Sequence, residues 1–214
     1  MWEPARLSLQ VMAVAAPSIA VAGLLLGLLF ARARFRGQAV VETAIMLPMI
    51  LPPSVVGYVL LRALGREGPL QDWFGINLLF TWKAAAVASA IVGLPLMVQA
   101  AKVGIAHVDR DIEQAAMVDG ASRPRILLTI TIPLARRGIL IGILLGSVRA
   151  LGEFGATLAV AGSIPGRTQT LPLAVYDAMQ RADFPLANRL ALLMIVIGYL
   201  AVWLSHRLSE RAEA

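Results

Sequence analysis

Long apolar runs alternate with short polar segments along the chain. Leu7 to Ala31 carries no charged side chain, and it exceeds the roughly 20 apolar residues that cross a hydrocarbon core. Four further runs follow the same pattern: Thr43–Leu61, Ala84–Ala101, Gly138 to about Ser163, and Arg189–Ser205. The pattern predicts an all-α, polytopic transmembrane bundle of five spans in a single domain over 1–214. The segment 102–137 is too polar to cross. The second run contains Pro48, Pro52 and Pro53, so it is expected to be kinked or broken, and Pro95 lies within the third. Prolines are tolerated in a span when neighbours satisfy the freed carbonyls.

Composition agrees with lipid as the main solvent. Hydrophobic residues make up 58% of the 214 and charged residues only 15%, where soluble domains carry roughly 25% charged. The absence of cysteine excludes a disulfide framework, a thiol nucleophile and a cysteine metal site. The net charge of +6 is scattered between apolar runs, which reads as positive-inside anchoring and not as a nucleic-acid surface. With five spans, one side holds Arg32, Arg34, Arg36, Lys102, Arg110, Arg123, Arg125, Arg136, Arg137, Arg207 and Arg211. The other holds Arg6, Arg62, Arg66, Lys83, Arg167, Arg181 and Arg189. The richer side is expected to be cytoplasmic, which places 102–137 and the C-terminus inside and the N-terminus outside. The start is not read as a cleaved signal, because no cleavage pattern follows Arg6.

The polar segment holds the most informative pattern. In Asp111–Pro133, DIEQAAMVDGASRPRILLTITIP, Glu113, Ala116, Met117 and Gly120 fall at helical spacing. Gly120 suits the left-handed residue that closes a short helix, and Pro124 disfavours helix at the residue before it. A short helix, a turn and a second amphipathic helix running to Ile132 are expected. From periodicity alone this could equally be a helix lying at the membrane boundary and touching nothing else.

These residues resemble the Glu-Ala-Ala loop of binding-protein-dependent ATP-binding cassette (ABC) importer permeases. Gln114, Ala115 and Ala116 occupy the first three places, Gly120 follows four residues later, and Ile130, Ile132 and Pro133 fall at the family spacing. Gln114 stands where the motif has Glu, with Glu113 just before it, and Ile132 stands where it has Leu. The resemblance implies a type I importer permease whose coupling helix docks on a separate ATPase. It assigns coupling to Glu113, Gln114, Ala115, Ala116, Gly120, Ala121, Ile130 and Pro133. No Walker A lysine exists here, since Lys83 and Lys102 follow Trp82 and Ala101. ATP and magnesium would therefore belong to the partner, with no cofactor on this chain.

Two charges interrupt the fourth run. Arg149 and Glu153 lie four apart and share one helix face. A lone charge at mid-bilayer costs roughly 2.5–3.5 kcal/mol on insertion scales, so the two are expected to pair or to face a wet interior. Either they hold helices or subunits in register, or Arg149 lies beside an anion path. Ser54, Thr157, Ser163, Thr168 and Thr170 lie in or near the glycine- and proline-rich breaks. They could donate to an oxyanion or bond back to their own helices.

Around these positions the resemblance narrows to molybdate permeases. Its blocks are Leu51-Pro52-Pro53-Ser54-Val55-Val56-Gly57-Tyr58, Asp72-Trp73-Phe74-Gly75-Ile76, Ala150-Leu151-Gly152-Glu153-Phe154-Gly155-Ala156-Thr157 and Ile164–Pro172. It implies a homodimer in a bacterial or archaeal inner membrane, two ATPase subunits, a soluble binding protein and molybdate or tungstate as cargo. Arg149, Glu153, Ser54 and Thr157 are the candidate path residues. Sulfate and thiosulfate permeases share related blocks and stand as the alternative cargo class. A membrane hydrolase is disfavoured: His107 and His206 are the only histidines, and neither a Gly-x-Ser-x-Gly elbow nor a His-Glu-x-x-His helix occurs. A stand-alone channel or secondary transporter would usually show an internal repeat and has no use for a docking loop.

Overall fold

The computed structural model describes residues 2–66, 68, 71, 72, 75 and 77–210. Of the blocks named above, Trp73, Phe74 and Ile76 lie outside the described residues. Among the described residues four helices are long and apolar enough to cross a membrane, or five if a pair bent by 115° counts as one span. They are α1 (Trp2–Arg32), α2 (Gln38–Ile50) with α3 (Pro53–Leu64), α4 (Trp82–Ala106), α6 (Arg123–Leu151) and α9 (Phe184–Glu210). Shorter helices are α5 (Arg110–Val118), α7 (Gly155–Ala161) and α8 (Leu171–Gln180).

The bundle is assembled around α4, the most enclosed of the spans. Small residues make this work, because apolar burial gives no driving force between helices already in lipid and close backbone approach must supply the attraction. On α1 a single stripe recurs at about four residues, through Leu7, Val11, Ala15, Ile19, Gly23 and Gly27, and it is buried. A Cβ on Gly27 would lie 2.6 Å from the Ala101 Cβ. On α6 the stripe is Gly138, Gly142, Gly146 and Ala150 at i, i+4. A Cβ on Gly93 of α4 would sit 2.4 Å from the Gly146 carbonyl oxygen.

The second span is broken, as its prolines predict. α2 and α3 meet at 115°, with Leu51 and Pro52 extended between them. Neither Pro52 nor Pro53 has an N–H for the helical ladder, and each pushes the preceding residue toward extended backbone.

The fourth span differs from the expected 138–163. α6 starts at Arg123, inside the segment expected to stay out of the membrane, and runs without a break through the anticipated amphipathic helix. A π-helical turn at Leu127–Thr131 precedes Pro133. The wider turn gives room for a ring that would otherwise press on the carbonyl four residues back. α6 then stops at Leu151, and after Gly152–Phe154 only the short α7 follows. The outer spans are also longer than their uncharged cores: α1 begins at Trp2 and α9 at Phe184. Polar residues at a helix end reach the headgroup level without breaking the backbone pattern, so hydropathy alone truncates both.

Candidate coupling and translocation site

The segment 109–121 is a capped, two-ended unit. Asp109 Oδ1 accepts from the Asp111 N–H at 2.9 Å at the start of α5. At the end, Gly120 has φ +87°, its N–H donates to Met117 O and the Ala121 N–H donates to Ala116 O. This is a Schellman closure, which requires the left-handed residue that glycine adopts without strain. The helix and the turn therefore stand as expected.

Within that unit the predicted residues divide. Gln114, Ala115 and Gly120 are exposed, together with Ile112, Met117 and Val118 (88% exposed). An apolar side chain left this bare at a helix end suits a partner surface. Glu113 points the other way. One of its oxygens, Oε1, accepts from Arg32 Nη2 at 2.7 Å and from Thr131 Oγ1 at 2.5 Å. It fastens α5 to the end of α1 and to the π turn. Ala116 and Ala121 are half-buried beneath the helix and turn. Ile130 and Pro133 lie on α6, so the motif's second half belongs to the helix that follows α5. Arg32 and Thr131 escaped sequence reasoning, since both are distant in the chain and ordinary in type. At the same end of the bundle Lys102 Nζ lies 2.7 Å from Glu42 Oε2.

Farther along, the bent pair α2–α3 meets the break that follows α6. A Cβ on Gly155 would lie 2.6 Å from Pro53 Cβ, and one on Gly57 would lie 2.7 Å from Ala159 Cβ. The breaks at Leu51–Pro53 and Gly152–Phe154 are thus stacked against each other. Arg149 Nη1 and Glu153 Oε2 form the expected pair at 2.9 Å. Glu153 also accepts the Ala156 N–H through Oε1 at 2.9 Å, so it caps α7 while holding the last turn of α6. An acid at one helix start and a base at another helix end also complement both macrodipoles. The Glu153 side chain is 2% exposed and that of Arg149 34%, which leaves the guanidinium as the accessible half.

The hydroxyl candidates separate as well. Ser54 is exposed on the first turn of α3. Thr157 is fully buried and its Oγ1 has no hydrogen-bond partner, so it stands in the packed interior whereas Ser54 is exposed. Thr168 Oγ1 accepts from the Ile164 N–H and donates to the Gly162 carbonyl. Ser163 Oγ and Gln169 Nε2 both donate to Asp177 Oδ2 of α8, at 2.6 and 2.5 Å. These bonds build a rigid loop after α7 and anchor it to α8, an arrangement no motif announced.

A bent helix pair packed on the break after α6, with a short capped helix between α4 and α6, is the architecture of the type I ABC importer permeases. The inward-facing MetNI methionine ABC transporter shares this fold, with a TM-score of 0.73 at 16% identity over 98% of this chain and 93% of that one. The chain belongs to the family described as binding-protein-dependent transport system inner membrane component, whose model matches residues 23–213. It is 47% identical to the putative molybdenum transport system permease protein YvgM of Bacillus subtilis, over 94% of this chain and 91% of that protein. It is 40% identical to the molybdenum transport system permease protein ModB of Escherichia coli K12, over 99% and 96%. The sulfate transport system permease protein CysW of Synechococcus elongatus is 32% identical over 98% of this chain and 74% of that protein.

Proposed function

We propose that this chain forms the translocation path for molybdate or tungstate, working as one of two identical permease subunits. The observation that carries the cargo is the 40–47% identity to relatives named for molybdenum transport, against 32% for the sulfate relative. Two cytoplasmic ATP-binding subunits, which hold ATP and magnesium, dock on the α5 helices, and a soluble binding protein delivers the anion from outside. The basic end of the bundle, with Arg32, Lys102 and the α5 unit, faces the cytoplasm, and the N-terminus is outside.

Closure of the ATPase dimer moves α5, and the Arg32–Glu113–Thr131 junction carries that motion into α1 and α6. The two halves rock, and the stacked breaks open toward the outside to accept the dianion. Arg149, one-third exposed beside a buried carboxylate, supplies charge near the breaks. Its tether to Glu153 keeps the local field moderate, so the anion is passed on and not trapped.

The test is reconstitution of the permease with its ATPase in liposomes, with binding protein loaded in turn with molybdate, tungstate and sulfate. Stimulated hydrolysis and uptake with the first two and not with sulfate is the expected result. Equal stimulation by sulfate would widen the cargo class, and absence of any ATPase association would refute the docking role of 110–121.

A further inference from the structure

Between α5 and the start of α6 lies a pocket of about 440 Å³. Met117 and Leu127 contribute apolar lining, and Arg110, Arg123 and the Arg32–Glu113 pair contribute charge. Glu113 is the one carboxylate in the lining, and Arg32 already neutralises it. Arg110 and Arg123 are exposed, and no hydrogen bond or ion pair engages either guanidinium among the described residues. Asp109 and Asp119 at the ends of α5 and Asp111 in its first turn do not line the pocket. The pocket therefore presents two uncompensated guanidinium groups beside apolar surface.

Covering such a pocket with neutral or basic surface would desolvate two charges without return, which is costly. An occupant has to bring anionic oxygens, and the planar fork of arginine suits a carboxylate held by two parallel bonds. Gln114 and Met117 belong both to this pocket and to the exposed face of α5, so whatever covers that face also closes the pocket. The polarity matches the motif departure: Gln114 is neutral where the family has an acid, and Glu113 is turned inward. We infer that the pocket receives a carboxylate side chain of the ATP-binding subunit, so that in this transporter the permease contributes the base and the ATPase the acid. The inference rests on the docking role proposed above.

The experiment measures binding of the cognate ATP-binding subunit to the permease in nanodiscs, across a range of NaCl concentrations. Discs of zwitterionic lipid alone are compared with discs containing anionic phosphatidylglycerol. Arg110→Glu with Arg123→Glu is expected to weaken binding about 30-fold and to flatten its salt dependence, in both lipids, as reversal of two close charges does. Arg125→Glu, exposed but outside the pocket, is expected to change it by less than about threefold. Melting temperature and elution volume equal to wild type establish that the variants are folded. Unchanged binding by the double variant, or equal weakening by Arg125→Glu, overturns the pocket while leaving the docking role standing. An effect confined to discs with anionic lipid assigns the pocket to a lipid headgroup and overturns it too. Failure of the wild-type chain to bind the ATPase at all overturns the docking role itself.

Discussion

Removing Arg149 should damage this protein more than removing Arg149 and the Glu153 charge together. Glu153 is 2% exposed and makes two charge-assisted bonds, to Arg149 Nη1 and to the Ala156 N–H. In Arg149→Ala the helix cap remains, but the enclosed Glu153 carboxyl loses its counter-charge. Breaking a buried pair from one side costs about 3–5 kcal/mol. Arg149 is one-third exposed, so water already screens part of the pair, and about 2–3 kcal/mol is the better expectation. Glu153→Gln keeps an oxygen for the Ala156 N–H and frees Arg149 to reach water, so about 1 kcal/mol is expected. The double variant Arg149→Ala/Glu153→Gln should fall near that smaller figure, because no charge is left uncompensated. At roughly 2–4 °C per kcal/mol for a chain of this size, Arg149→Ala should melt about 5–10 °C below wild type, and the double variant should recover most of the difference. Intrinsic tryptophan fluorescence during thermal ramps in nanodiscs reads this directly. Equal melting temperatures for Arg149→Ala and the double variant would refute the pairing argument.

Three further outcomes follow from the same geometry. Beyond its own chain neighbours no heavy atom lies within 4 Å of a Cβ built on Gly120, yet its φ is +87°; Gly120→Asn, which tolerates that backbone, should therefore keep ATPase stimulation, whereas Gly120→Val should lose it, and equal activity would show that the Schellman turn is dispensable. Gly93→Ala should cost about 1–3 kcal/mol by forcing α4 off the Gly146 carbonyl, while Gly198→Ala, with open space around it, should be neutral or stabilise by up to about 1 kcal/mol; thermal melts that rank them otherwise would contradict the small-residue packing. Arg32→Ala and Glu113→Gln should each lower transport per ATP hydrolysed, and their double-mutant cycle should show a coupling of about 1 kcal/mol; strictly additive effects on stability and coupling ratio would mean that the pair transmits nothing.

What the chain's linear order determines here follows from local chemistry. Long uncharged runs must lie in lipid as helices, because every backbone polar group has to be satisfied within the segment. Adjacent prolines must interrupt the second run, and Gly120 must close α5, because these are properties of one or two residues. The Arg149–Glu153 pairing was legible because two costly charges four apart in sequence must meet, although Glu153 falls in the break just after α6 and not on the expected helix face. Tertiary structure decided the rest. That α6 starts at Arg123 and dies at Leu151 depends on a π turn absorbing Pro133 and on Glu153 capping α7, neither of which hydropathy registers. The inward turn of Glu113 depends on Arg32, 81 residues away, and the docking of Gly155 on Pro53 joins two breaks about 100 residues apart in sequence. Spacing shows which residues share a helix face. Which face meets a neighbour is set by close backbone approach between distant glycines, and that contact exists only once the bundle has closed.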